Sequence, residues 1–175
     1  MNAEKYTQKS LAAVKDAQEL TIRNQNQQIE QVHLLSALLQ QEGGLVPQLL
    51  KKMGVTVESL NAAVNQELSK LPRVTGSGRE ADKFYVSRAV DTALTKAEEI
   101  AAGMKDDFVS VEHLLLALIE CPDTALKELF RTYNITKEGC LKTLQSIRGS
   151  QRVTTDSPED TYEALEKYGT DLVKR

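Results

Sequence analysis

Apolar residues recur at three- and four-residue spacing along most of this chain, a pattern that predicts amphipathic helices and gives no sign of strands. The clearest stripe runs from Thr7 to about Asn24, where the Thr7 hydroxyl is placed to cap the helix. Gly43-Gly44 and Gly54 then mark the ends of two shorter helices. The predicted helices after the first are 33–41, 45–53 and a fourth opened by Thr56.

The pattern returns 80 residues further along the chain. His33-Leu34-Leu35-Ser36-Ala37-Leu38-Leu39 corresponds to His113-Leu114-Leu115-Leu116-Ala117-Leu118-Ile119, and the register holds without a gap on both sides. The aligned pairs include Thr7 with Ser87, Ala17 with Ala97, Leu20 with Ile100, Ile29 with Val109, Leu49 with Leu129, Val55 with Ile135, Thr56 with Thr136 and Val64 with Leu144. We therefore predict an all-α domain of eight helices, in which two four-helix repeats pack about a pseudo-twofold axis.

The second repeat supplies its own start and stop signals. Ser87 caps a helix to about Met104, Ser110 caps the helix that contains His113, and Pro122 begins the third helix. Thr136 opens a last helix that ends near Gly149, while Asn134 takes the left-handed position of Gly54. The predicted boundaries are one domain over 1–149 (repeat 1 about 7–70, linker 71–84, repeat 2 about 87–149) and a linker with the truncated start of a further domain over 150–175.

Composition narrows the function classes. The chain is 41% hydrophobic and 27% charged, which is typical of a water-soluble globular protein. A net charge of −3 and scattered basic residues disfavour a nucleic-acid partner. No apolar run approaches a membrane span, and we expect no membrane partner and a cytoplasmic protein with reduced cysteines.

The sequence offers little catalytic or metal chemistry. It lacks a phosphate-binding Gly-rich motif, and its two histidines and two cysteines lack metal-ligand spacing, so no cofactor or metal is expected in these residues. The sharpest enzymatic hypothesis is a nucleophile, Cys140 or Cys121, activated by His113. The two histidines occupy equivalent positions in the repeats whereas the cysteines do not, which favours a structural role for His113 and a non-enzymatic chain.

The repeat resembles the duplicated N-terminal domain of the Clp ATPases, in which a capped helix and a polar loop precede an Ile/Val-x-x-x-His-Leu-Leu-x-Ala-Leu segment. The resemblance covers about 7–149. Three segments are similar to the ClpB disaggregase branch of the family: Gln41-Glu42-Gly43-Gly44, Leu71-Pro72-Arg73-Val74-Thr75-Gly76, and Ala164-Leu165-Glu166-Lys167-Tyr168-Gly169-Thr170-Asp171-Leu172. In that branch the last segment leads into the first ATPase module.

The resemblance implies that the intact protein is a homohexameric AAA+ ATPase that uses ATP and Mg, works with the DnaK chaperone system, and threads unfolded or aggregated polypeptides through a pore. This chain would receive exposed apolar client segments in a shallow groove. The expected substrate-binding residues are the apolar wall Leu94, Ala97, Ile100, Phe108 and Val109 with His113, and the polar rim Thr7, Asp106 and Glu112. Ordinary core packing is the competing interpretation for each apolar member.

A nearer alternative within the family is the ClpC branch, whose N-terminal domain binds adaptors or phosphoarginine-marked clients for a protease. The family resemblance places Glu before the histidine in both repeats of that branch. Here Glu112 fits, but Val32 stands at the equivalent position, so the sequence favours the disaggregase branch.

Overall fold

Eight α-helices contain most of the residues that the computed structural model describes, which are 3–74 and 85–149. The bounds are α1 Gln8–Arg23, α2 Gln31–Gln40, α3 Leu45–Lys52, α4 Val57–Ser69, α5 Arg88–Gly103, α6 Val111–Glu120, α7 Thr124–Thr132 and α8 Lys137–Arg148. A 3-10 turn, Ala3–Lys5, precedes α1. The all-α prediction and the order of eight helices are confirmed. Residues 75–84 of the linker predicted over 71–84, and the segment predicted over 150–175, lie outside the described residues.

The helices begin where the polar caps predict. The Thr7 hydroxyl accepts a hydrogen bond from the Ser10 amide at 3.2 Å, and the Ser87 hydroxyl accepts one from the Val90 amide at 3.1 Å. Two predicted starts are wrong by two residues each. Helix α2 begins at Gln31 and not at residue 33, because Glu30 is its N-cap. Helix α7 begins at Thr124 and not at Pro122, because the Asp123 carboxylate caps it by accepting from the Leu126 amide at 3.0 Å.

The two repeats differ in how their last helices are capped. Thr56 and Thr136 both immediately precede a helix, as predicted. The Thr136 hydroxyl accepts from the Gly139 amide at 3.1 Å, whereas the Thr56 side chain makes no capping hydrogen bond. The loop geometry is otherwise shared, since Gly54 and Asn134 both have positive φ, of 89° and 55°.

The core is built around the two equivalent helices α2 and α6. Every residue from Gln31 to Leu39 is buried in α2, and every residue from Val111 to Leu118 is buried in α6. Helix α1 covers α2 and α5 covers α6, while α4 and α8 pack on the same two helices from another side. The halves meet where α3 contacts α6 and α8, and where α7 contacts α2 and α4. One apolar core therefore runs through both repeats.

A reciprocal main-chain exchange also joins the halves. The segment before α1 pairs with the loop before α6: the Thr7 amide donates to the Val109 carbonyl at 2.9 Å, and the Val109 amide donates to the Lys5 carbonyl at 2.7 Å. The segment before α5 pairs in the same way with the loop before α2, where the Ser87 amide donates to the Ile29 carbonyl at 2.9 Å and the Ile29 amide to the Tyr85 carbonyl at 2.8 Å. Each repeat thus completes an edge of the other.

Gln31 locks this arrangement from inside the core. Its side-chain amide donates to the carbonyls of Ala89 and Cys121, at 2.9 and 2.8 Å, and its carbonyl accepts from the Asp123 amide at 2.8 Å. Because a buried amide that lacks partners is costly, three bonds from one side chain fix the position of repeat 2 against α2.

Candidate functional site

The structure divides the nine predicted binding residues into two groups. Ile100 and Phe108 are half-buried and retain some access to solvent. The other seven are buried: Thr7, Leu94, Ala97, Asp106, Val109, Glu112 and His113. Helical periodicity identified residues that share a face, but most of those residues are buried in the core.

A surface cleft of about 270 Å³ brings three of the nine residues together, namely Asp106, Phe108 and Val109. It lies between α5 and the loop that leads to α6. The remaining lining residues were not predicted from the sequence: Lys5, Glu98, Ala101, Ala102 and Asp107. The lining combines an aromatic ring, a valine and two alanines with three carboxylates, which we call the acidic margin of the Phe108 cleft.

The other predicted residues lie elsewhere. Thr7 caps α1 and is held by its main-chain bond to Val109, so it supports the cleft from behind. Ile100 packs against the edge of the core, and neither it nor Leu94 or Ala97 lines the cleft. Phe108 is therefore the predicted residue that both lines this cleft and retains access to solvent.

A buried charged network stands directly behind the cleft. The Asp106 carboxylate accepts from His113 Nε2 at 2.7 Å through Oδ2 and from Arg148 Nη2 at 2.6 Å through Oδ1, and the three side chains are almost fully buried. The Ser110 amide donates to His113 Nδ1 at 2.9 Å. Because an amide can only donate, Nδ1 carries a lone pair, and the proton of the neutral ring resides on Nε2, which donates to Asp106.

Burial sets the protonation state of this histidine. It lowers the pKa of His113, and the Arg148 charge acts in the same direction, although hydrogen bonding and attraction to Asp106 oppose them. His113 is consequently a neutral capping and positioning residue. Together with Ser110 it forms a capping box at the start of α6.

Repeat 1 contains the same motif, but a neutral amide takes the place of the carboxylate that Nε2 contacts. The Glu30 amide donates to His33 Nδ1 at 2.9 Å, and His33 Nε2 bonds Asn26 Oδ1 at 2.8 Å. Asn26 stands where repeat 2 has Asp106, and Leu68 stands where repeat 2 has Arg148. The histidine in each repeat is thus part of the fold, and only repeat 2 adds an ion pair to it.

The thiols do not support a catalytic pair. Burial, and then the nearby Glu112 carboxylate, raise the pKa of Cys140 to about 12, which is opposite to the shift that activates a nucleophile. Both ring nitrogens of His113 are already hydrogen-bonded within α6 and its preceding loop. The geometry therefore gives His113 no role as the base of Cys140.

A second cleft of about 420 Å³ lies on repeat 1, between α1, α2 and α4, and contains none of the predicted residues. Its lining is mixed in polarity: Asp16, Glu19, Leu20, Arg23, Ser36, Ala37, Gln40, Asn65 and Leu68. Leu20, which lines this second cleft, is the equivalent of Ile100, and Ile100 does not line the cleft that contains Phe108.

Two classes of site can be tested over residues 3–74 and 85–149. Within those ranges no group of three or more His, Cys, Asp or Glu side chains could hold a metal ion. In the same part of the chain, none of the helices combines the length and the apolar character that crossing a bilayer requires.

Comparison with known proteins gives the fold a clear context. A family model described as the Clp repeat N-terminal domain matches residues 5–133. The chaperone protein ClpB of Clostridium perfringens is 42% identical over 175 residues, covering 99% of this chain and 20% of that protein. The chain therefore spans about a fifth (20%) of the length of this relative.

Two solved structures share the architecture. The Hsp104 N-terminal domain from Candida albicans has a TM-score of 0.76 and 25% identity, covering 89% of this chain and 99% of that one. A ClpV N-domain, solved in complex with a VipB peptide, has a TM-score of 0.59 and 20% identity, covering 81% of this chain and 88% of that one. The latter likeness concerns the fold alone.

Proposed function

Since this chain belongs to the Clp repeat N-terminal domain family, we propose that it is the client-binding domain of an ATP-dependent disaggregase chaperone of the ClpB type. In this role it receives exposed apolar segments of unfolded or aggregated proteins. The matched relatives are ClpB chaperones, and the peptide complex of the ClpV N-domain is a precedent for peptide binding on this fold. We further propose that the whole protein uses ATP and Mg, assembles into a homohexamer, cooperates with DnaK and is located in the cytoplasm.

The observation that carries the proposal is the Phe108 cleft. Phe108 stands on a surface loop, and its apolar neighbours at the cleft are Ala101, Ala102 and Val109, so an apolar client side chain can contact carbon there. Such contact depends on apolar area and not on sequence, as a receptor for many clients requires. Leu94, Ala97 and His113 form the packed layer from which α5 and α6 present this surface.

The acidic margin has a separate role in the proposal. Glu98, Asp106 and Asp107 line the cleft together with a single lysine, Lys5. Asp106 is neutralised by Arg148, and Glu98 is half-buried and accepts a hydrogen bond from the Tyr6 hydroxyl at 3.3 Å, so Asp107 is the exposed member of the three carboxylates. Asp107 would orient a client at the rim, while Thr7 and Glu112 act from the interior.

NMR titration with casein as the unfolded client tests the proposal. Shifts should cluster at Phe108, Ala101, Ala102 and Asp107 and persist at about 0.5 M salt, where charge attraction is screened. Phe108→Gln copies Gln28, the residue at this position of repeat 1, and should weaken binding roughly tenfold by removing one apolar contact. Leu141→Gln, which removes a 38% exposed leucine on α8, is the matched control and should bind normally. Absent or evenly scattered shifts contradict the proposal.

The ClpC-type alternative is less well supported. A paired acidic site would need carboxylates before both histidines, but Val32 and Glu112 are 2% and 0% exposed, so neither position faces a ligand. Calorimetry with free phosphoarginine should accordingly show no binding heat. Measurable, saturable heat would favour the alternative.

A further inference from the structure

The two repeats differ where their main chains cross. The segment before α1 packs against repeat 2 and carries Tyr6, which is only 2% exposed and whose hydroxyl donates to the Glu98 carboxylate on α5. The segment before α5 packs against repeat 1, and its equivalent residue is Val86, which is 43% exposed. The main-chain hydrogen bonds are the same at both crossings, so only the aromatic side chain is missing from the second one.

The residues around Val86 are also apolar and exposed. Tyr85 precedes it and is 54% exposed, and Ile22 on α1 is 43% exposed. By the internal register, Tyr85 and Ile22 correspond to Lys5 and Ala102, which line one cleft in repeat 2. The internal register therefore places Tyr85 and Ile22 beside each other on the surface of repeat 1. We call Ile22, Tyr85 and Val86 the Val86 surface.

We infer that the Val86 surface binds an aromatic side chain of an extended client segment. The inference rests on the proposed function, because the client supplies the ring. The chain provides a template for the occupant: at the equivalent crossing Tyr6 stands in place of Val86, and its ring lies against the protein with the hydroxyl donating to Glu98 on α5. Gln18, the equivalent of Glu98, is half-buried on α1 and can accept from or donate to a phenol.

The size of the surface favours a peptide over a second copy of the chain. A stable protein interface buries roughly 800 Å² on each partner and uses about 20–30 residues a side. Three side chains offer far less, but they suffice for one ring, which buries about 150–250 Å². Aromatic contact at this surface and apolar contact at the Phe108 cleft would give the domain two separate attachment points for one unfolded chain.

Paired peptides test this inference. The first is an unstructured Gly/Ser peptide with a central Leu-Tyr-Leu, and the second has Leu-Leu-Leu in its place. In NMR titration of the full chain, the tyrosine peptide should shift the resonances of Ile22, Tyr85 and Val86 and bind this surface roughly tenfold more tightly than the leucine peptide. Equal binding of the two peptides, or an unshifted Val86 surface, would overturn the inference.

A filled variant adds a second readout. Val86→Tyr combined with Gln18→Glu rebuilds the Tyr6–Glu98 arrangement in repeat 1 and should weaken tyrosine-peptide binding at the surface roughly tenfold. Leu141→Tyr adds a ring elsewhere and should leave binding unchanged. Unchanged binding in the filled variant overturns the inference, and if that variant fails to fold, Ile22→Ser should produce a similar loss.

Three outcomes identify a different occupant or a wider failure. If Tyr162→Ala with Tyr168→Ala moves the Val86 resonances of the free chain, the chain's own tail occupies the surface and the inference is wrong. Concentration-dependent shifts without peptide would assign the surface to a second copy, with the same consequence. If casein shifts Phe108 but not Val86, this inference fails and the proposed function stands, whereas silence at both sites defeats both.

Discussion

Substituting Asp106 by Asn tests the energetic role of the buried ion pair behind the cleft. The change imitates repeat 1, where Asn26 accepts from His33, so the bond from His113 can survive. The Arg148 side chain, however, is only 4% exposed and loses the charge that it meets at 2.6 Å. Removing one partner of a buried pair costs about 3–5 kcal/mol of the free energy of unfolding.

The matched control is the double variant Asp106→Asn with Arg148→Leu. It copies both repeat 1 residues, Asn26 and Leu68, into repeat 2, and Leu68 is itself buried at 8% exposure. Because replacing a whole buried pair by an apolar residue is often neutral, the double variant should recover to within about 1 kcal/mol of the parent chain.

Urea unfolding followed by circular dichroism at the helix band measures both effects. The single variant should have a lower midpoint with an unchanged slope, and its melting temperature should fall by roughly 6–15 °C. A loss below about 1 kcal/mol in the single variant would show that the pair contributes little. A double variant as unstable as the single one would show that the repeats are not interchangeable here.

Three other outcomes follow from individual residues. Because the folded structure lowers the pKa of His113, the unfolded chain binds more protons than the folded chain below about pH 6.5. The free energy of unfolding should therefore fall as the pH drops below that value, and His113→Gln should make this dependence on pH less steep. Gly54→Ala should cost about 1 kcal/mol in urea unfolding because φ is 89°, whereas Gly103→Ala within α5 should stabilise by about 0.5–1 kcal/mol, and equal effects would contradict this. Iodoacetamide should label the partly exposed Cys121 in the native chain and reach the buried Cys140, whose thiol pKa is about 12, only after unfolding, as mass spectrometry can follow.

The sequence predicted the fold well because two independent signals agreed. Apolar periodicity located the helices, and the 80-residue register checked each of them against its equivalent, as at Thr7 and Ser87. The start of α7 was misplaced because Pro122 and Asp123 are both plausible first-turn signals, and only the geometry shows that the carboxylate caps the helix.

The binding residues were harder to predict. A stripe such as Leu94 and Ala97 has the same spacing whether it faces the core or a groove, so the sequence could not separate the two. The cleft also depends on Lys5, which reaches it only through main-chain pairing with Val109, and such pairing leaves no side-chain pattern. The difference between Tyr6 and Val86 is visible in the sequence, but only the structure shows that Tyr6 is buried and Val86 is exposed.

The crossed extended segments have a consequence for how the molecule reaches its native state. Neither half possesses all the strand-like partners it requires, since Tyr6 pairs with Val109, 103 residues further along the chain, and Ile29 with Val86, 57 residues further along. We therefore expect the two halves to fold together in one cooperative transition, because an isolated half lacks these pairings. Half-formed chains, which would leave part of the shared apolar core uncovered, should therefore be little populated.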